Sequence, residues 1–315
     1  VTTLGAVATG IANIAMDGTV LDTWFPAPQL IDSTTDSVDH KQPDNGTRRL
    51  WGRELSARMI ALISLDEDRM VEQVAVRTRI ADLQAPPLDA HDVYLRLHLI
   101  SHRLVAPGQI NMSQAMSLLS DVVWTNKGPS TPQNFELVRA RLRTRGLIHV
   151  YAIDRLPRMV DYVVPDHVRI AEAERVRLGA HLAPGTTVQR EGFVSHNSGS
   201  LGPCKIEGRL SSGVTLGEGC QVGLSAIIMA ERQADGSRRP LQVGRDCTFG
   251  VSSGLIGMNV GDDCHIGTKV ILEKDLTIYD VERDQLIPGS QLENRSGWSL
   301  NTEAEHPEPV VRGLS

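Results

Sequence analysis

Aromatic residues make up only 4% of this 315-residue chain, so its core has to be assembled from aliphatic and small side chains. Cysteine is equally scarce. There are four, none in a CxxC pair, which excludes a disulfide framework and a cysteine zinc site. Positive charge is not in excess: 32 basic residues face 38 acidic ones, a formal charge of -6. That removes the basic footprint needed for non-specific nucleic-acid binding. Nowhere do about 18 apolar residues run together, as a membrane span would require. The apolar N-terminal stretch VTTLGAVATGIANIAMDG lacks the basic flank of a signal peptide. A cytoplasmic protein with no membrane or nucleic-acid partner is the expectation. The ten histidines form no HxxxH or HxH ligand set. For His181, His196 and His265 two readings stand, residues facing a cleft or, more ordinarily, surface or loop residues.

What the chain does have is a six-residue beat from about Val168 to Ile278. An aliphatic residue followed by Gly recurs in LGEGCQ, VGLSAI, VGRDCT, FGVSSG, VGDDCH and IGTKVI. An earlier run places Ile170, Val176, Leu182 and Val188 six apart. Period six matches neither the helical 3.6 nor the alternation of an amphipathic strand. It is the pattern of a hexapeptide β-solenoid, a mainly β fold in which stacked coils bury what one hexad cannot. Cys220, Cys247 and Cys264 share the small fifth position of their hexads and read as buried hydrophobes. Only Cys204 lies off it. The beat breaks between Gln189 and Lys205, and again between Ile228 and Val243, fifteen residues apart. A smaller slip separates Leu255 from Val260. Insertions in solenoids project as loops and often carry binding.

Outside the beat, residues 1–105 read as an N-terminal α/β domain and 106–165 as a helical connection. Residues 166–280 form the β-helix and 281–315 a C-terminal extension. Asp17-Gly18 marks a turn between two short strands. Asp36 to Arg48 reads as a polar loop. SLDEDRMVEQVAVRTRIADL mixes strand and helix signals. HDVYLRLHLISHRLV alternates Val93, Leu95 and Leu97 as a strand does. Asn111 to Val123 has helical spacing, with Asn111 and Ser113 as caps. PQNFELVRARLRTRG reads as a short helix ended by Gly146. The Pro-rich, acidic tail EAEHPEPVVRGLS reads as poorly ordered.

Three segments, RIAEAERVRLGAHLAPGTTV, EGFVSHNSGSLG and IEGRLSSGV, resemble the longer-chain subgroup of the tetrahydrodipicolinate N-succinyltransferase family. YLRLHLISHRLVAPGQ, VVWTNKGPS and LPRMVDYVVP are similar to it as well. The resemblance implies a homotrimer of left-handed parallel β-helices with active sites between subunits. It implies transfer of succinyl from succinyl-CoA to the amine of tetrahydrodipicolinate, a dicarboxylate acceptor, in lysine biosynthesis. Glu207, in Ile206-Glu207-Gly208-Arg209, matches the family's catalytic glutamate, as nucleophile or as general base. Arg209 is suited to grip a carboxylate through its planar fork. Ser225, Ser253, Gly254 and Ser296 fall where the family binds acyl-CoA. Glu174 and Glu191 match divalent-metal ligands on the trimer axis, a ring of oxygens suited to Mg²⁺ or Ca²⁺. The bland alternative for Glu207 and Arg209 is an exposed charged pair on an outer face, and for Glu174 and Glu191 a solvated glutamate paired with Arg175 or Arg190.

Leu224 and Ile227 depart from the family's small residues, and Glu293 stands where it has Arg. Lys269, Lys274 and Arg283 are the cations available to compensate. A second reading therefore stands beside the enzyme. In it, a catalytically impaired paralogue serves as a regulatory or structural subunit, in a homotrimer or a mixed trimer with a related chain.

Overall fold

Three faces of short parallel strands take up the hexads in turn. The structure, a computed structural model, describes residues 3–32, 45–234 and 237–314. Two compact units divide it: residues 1–104, 110–157 and 161–163 form one, and residues 105–109, 158–160 and 164–315 the other. In the second unit the first face stacks Ile170, Val188, Ile206, Val222, Phe249 and Ile266 in register. The second face stacks Val194, Leu210, Ile228, Leu255 and Leu272. The third stacks Leu182, Ser200, Leu216 and Val243. A regular coil is therefore eighteen residues, three hexads, as from Val188 to Ile206. These stacked residues are buried apart from the partly exposed Ile170 at the first coil. Small strands suffice because each is bonded to the coils before and after it.

The expected break between Gln189 and Lys205 is not there. Val188, Val194, Ser200 and Ile206 keep the beat, and Ser200 simply fills an aliphatic position. Its buried hydroxyl is satisfied by Thr186 Oγ1 at 2.8 Å, which is how a polar side chain survives in that column. The true break comes next, where Ile206 and Leu210 are four residues apart rather than six. The Ile228–Val243 break is a projecting loop, closed by an antiparallel bridge between Arg232 and Arg238. The slip before Val260 leaves it bridged to Val243 all the same.

Cys204 also needs correcting. It immediately precedes the first-face strand of its coil, as Cys220, Cys247 and Cys264 do in theirs. All four are buried in one corner column. Cys204 Sγ donates to Gly217 O, Cys220 Sγ to Gly244 O and Cys247 Sγ to Gly261 O, each at 3.1 Å. Hydrogen bonds with the Cys204 and Cys247 thiols, together with burial, push the Cys220 thiol well above its ordinary range. His181 is buried too, not a surface residue, with Nδ1 2.9 Å from Ser200 O.

The tail is ordered where disorder was expected. Val310–Arg312 pairs with Ser299–Asn301 and Thr277–Asp280. Ser299–Asn301 in turn adds a rung to the first face, Leu300 over Ile266.

In the first unit the strand Leu4–Ala15 pairs antiparallel with Val20–Trp24, Gln29–Asp32 and Val71–Ile80. The turn at Asp17-Gly18 joins the first two, as expected. Ser64–Asp66 and Gly46–Arg49 pair with Val71–Ile80. The expected loop from Asp36 thus ends in a strand, and its residues 36–44 lie outside the described residues. HDVYLRLHLISHRLV supplies a helix, Ala90–Ser101, rather than a strand. Asp89 caps it by accepting from Asp92 N at 2.9 Å. The residues between its aliphatics are buried as well: Arg96 bonds Asp92 at 2.7 Å and reaches Leu83 O and Asn111 O. A helix buried on nearly every side loses the polar stripe that reveals a helical period. Residues 106–165 hold one turn of helix, Ala115–Leu118, and the expected helix, Phe135–Leu142, running on through a 3-10 turn to Gly146. They also hold three antiparallel strands, Val122–Thr125, Gly128–Ser130 and Val150–Asp154, which the helical reading of that segment did not foresee.

Candidate active site

The corner between the first and second faces carries the chemistry. In the regular coils four residues turn it: Gly223-Leu224-Ser225-Ala226 in one, Gly250-Val251-Ser252-Ser253 in the next, then Gly267-Thr268-Lys269-Val270. Ser225, Ser252 and Lys269, at equivalent places, hold left-handed backbone with φ of 58°, 56° and 64°. In the coil of Ile206 only Glu207 and Gly208 make the turn. The two outermost residues are missing. A notch is left, with Arg190-Glu191 on one side and Leu224-Ser225 on the other.

Gly208 is required for the short turn. A Cβ there would collide with the carbonyl oxygens of Ala226 and Gly223. Glu207 opens the turn, its N bonded to Val222 O at 2.8 Å, with its side chain 30% exposed. Beside it in the following coil stands Gly223, which presents bare backbone. Lys205 Nζ holds Glu207 Oε1 at 2.9 Å. Arg209 begins the second-face strand, its guanidinium 4.2 Å above the Phe193 ring. Stacking of this kind is worth about 0.5–1 kcal/mol at an exposed site and fixes the plane of the fork. A carboxylate and a planar cation thus flank Gly208 at one corner, the first able to take a proton or an acyl group, the second to grip an anion.

The remaining expected residues divide between two corners. Glu191 and Glu174 sit on the same corner as Glu207, one and two coils earlier respectively, and both are exposed. Glu191 lies 3.7 Å from Arg175, while Arg190 bonds Glu172 at 2.7 Å. Hard carboxylate oxygens suit Mg²⁺ or Ca²⁺. Yet no group of three His, Cys, Asp or Glu that could hold a metal occurs among the described residues of one chain. Ser225 is exposed at this corner. Ser253 is buried two coils beyond Glu207, in the column of Gly208 and Ala226, and its hydroxyl has no partner among the described residues. It offers the surface its backbone rather than its side chain. Gly254 follows it, and a Cβ there would come 3.2 Å from Ile271. Ser296 stands at a different corner, that of the cysteines, where its hydroxyl accepts from Asp262 N at 2.9 Å. Leu224, Ile227, Val251 and Ile271 leave an exposed apolar strip past the notch. Arg283, Glu293 and Arg295 line a separate recess of about 340 Å³.

Lys205 and Phe193 escaped the sequence reading. The signal for Lys205 was present, because residues two apart on a strand share a face and 205 precedes 207 by two. Phe193 pairs with Arg209 across neighbouring coils, and nothing local announces that register.

Comparison with known proteins bears on the family and the fold. Residues 119–158 match a family model described as tetrahydrodipicolinate N-succinyltransferase middle, and residues 240–274 one described as hexapeptide repeat of succinyl-transferase. A Pseudomonas paraeruginosa protein named 2,3,4,5-tetrahydropyridine-2,6-dicarboxylate N-succinyltransferase is 38% identical over 238 residues, 69% of either chain. The chain belongs to the tetrahydrodipicolinate N-succinyltransferase family. A Salinispora tropica protein of the same name is 41% identical over 220 residues, 67% of this chain and 63% of that one. Among solved structures, a Campylobacter jejuni candidate 2,3,4,5-tetrahydropyridine-2-carboxylate N-succinyltransferase superposes with a TM-score of 0.81. It covers 99% of this chain and 92% of its own, at 22% identity. That likeness speaks for the fold alone. The hexapeptide β-solenoid expected from the hexads, and the left-handed parallel β-helix expected from the resemblance, accord with the three stacked faces described above. Among the described residues no helix is long and apolar enough to cross a membrane.

Proposed function

We propose that the chain transfers succinyl from succinyl-CoA to the amine of tetrahydrodipicolinate, in its open-chain 2-amino-6-oxopimelate form, in lysine and diaminopimelate biosynthesis. The carrying observation is the notch at Glu207, the one first-to-second corner among the described residues from which two residues are missing, in a chain of this family. The amine nitrogen attacks the thioester carbonyl, the C–N bond forms, the C–S bond breaks, and coenzyme A leaves as its thiol. Glu207 takes the proton the amine gives up, or first takes the acyl group as an anhydride. A burst of free thiol without acceptor distinguishes the second route. Arg209, held flat by Phe193, pairs with a carboxylate of either substrate. Past the notch, Ser225, Ser253 and Gly254 give a surface rich in backbone for the coenzyme's arm. Leu224 and Ile227, exposed beside it, would pack along its apolar stretch rather than block it.

The same reading carries a homotrimer, with each notch completed by a neighbouring copy, and a cytoplasmic location. Three copies of Glu174 and Glu191 around a threefold axis would bring enough oxygens together for Mg²⁺ or Ca²⁺. Light scattering tests the trimer. An anomalous peak on the axis after a Mn²⁺ soak tests the metal, and its absence removes it. For the reaction, thiol release from succinyl-CoA with acceptor present is the assay. Glu207→Ala should lower turnover about 10²–10⁴-fold. Unchanged turnover takes Glu207 out of the mechanism.

A further inference from the structure

A second recess, of about 410 Å³, lies on the outward side of the first face, next to the notch. Register puts Arg169, Thr187, Lys205 and Gln221 in one row across it, on consecutive coils. With strands about 4.8 Å apart, Arg169 and Lys205 stand about 10 Å from one another, with the Thr187 hydroxyl between. Gln189 also lines the recess, and no carboxylate does. Arg169 is exposed and makes no ion pair among the described residues. Lys205 spends one of its three N–H donors on Glu207, which leaves two for a ligand. The row is therefore a set of donors carrying net positive charge, without an internal anion. Lys205, third in the row, is tied to the carboxylate that borders the notch.

We propose that this recess binds a carboxylate group of a dicarboxylate ligand, with Arg169 as its fork and Thr187 and Lys205 as supporting donors. The ligand is a substrate only if the transfer reading above holds. Its source is either the acceptor or the terminal carboxylate of the acyl donor. A carboxylate held here keeps a chain of several carbons directed along the first face toward Glu207, since Lys205 touches both. Arrival of that anion also gives Lys205 a second partner, which loosens its hold on Glu207 when the base is needed.

Calorimetric titration of the full chain with pimelate, a seven-carbon dicarboxylate, and separately with coenzyme A, tests the site. Arg169→Gln should weaken pimelate at least tenfold and leave coenzyme A unchanged. Arg169→Lys, which keeps the charge but not the fork, should fall between. Equal melting temperatures confirm that the exposed side chain was removed without loss of fold. Steady-state kinetics name the source: a raised KM for the acceptor assigns the carboxylate to it, and a raised KM for succinyl-CoA assigns it to the donor. If Arg169→Gln binds pimelate as the unaltered protein does and neither KM moves, the recess is not the site. If pimelate binding depends on Arg169 but succinyl-CoA releases no thiol, the site stands and the transfer reading falls.

Discussion

Two corners of the same coil, one face apart, do opposite things with one backbone. Between the third and first faces, Cys204, Cys220, Cys247 and Cys264 turn inward, and three of their thiols reach next-coil carbonyls at 3.1 Å. Between the first and second faces, the equivalent inward place in the Ile206 coil is Gly208, and the two residues that should project are absent. The first corner is sealed by small polarisable side chains that satisfy the backbone. The second is opened by subtraction. A solenoid makes a site by leaving something out of one turn, because every other turn is already held in register by its neighbours.

Refilling the notch breaks that contrast most severely. Inserting Leu-Ser between Glu207 and Gly208 restores a four-residue corner like that of Leu224-Ser225. Turnover should fall about 10²–10⁴-fold, the scale of a lost acid–base group, while the melting temperature stays close to that of the parent. Retained activity would mean that the short turn is incidental. Gly208→Ala tests the turn itself. Its Cβ meets two backbone oxygens that cannot move aside, so a loss of about 3 kcal/mol is expected from the denaturant midpoint. A change below about 0.5 kcal/mol would show slack at the corner. On the sealed side, Cys220→Ala removes one sulfur and its bond to Gly244 O and should cost about 1–2 kcal/mol with turnover intact. The smallest effect is a null one: iodoacetamide at neutral pH should leave Cys220 and Cys247 unlabelled in the folded protein and label all four thiols once it is unfolded. Labelling of Cys220 in the native chain would show that the thiol corner opens.

The solenoid was legible because burial repeats with the coil: an aliphatic every six residues can serve only a three-faced column. Ser200 shows the limit of that rule. Its hydroxyl finds Thr186 from the preceding coil, a partner fourteen residues away that no local pattern marks, so the phase looked broken where it was not. The four-residue step from Ile206 to Leu210 was in plain view but was masked by that false break. The helix Ala90–Ser101 was misread for a related reason. Arg96 is buried and satisfied by Asp92, Leu83 and Asn111, which erased the polar stripe and left only a misleading alternation. Ser296 was expected at the acyl-CoA site by resemblance, but it lies at the thiol corner, holding Asp262 N.

The sequence by itself determined the repeat, the membership of the core and the residue types at Glu207 and Arg209, since these follow from periodicity and from a short motif. Tertiary structure alone decided which of these residues share a corner, that Lys205 holds Glu207, that Phe193 flattens Arg209, and that the cysteines form one column. Register between coils is set by hydrogen bonds between residues sixteen to thirty-four positions apart, as from Ile206 to Val222 and from Ile266 to Leu300. Those spacings change wherever a turn is shortened or a loop inserted, so side-chain neighbours across coils cannot be counted off along the chain.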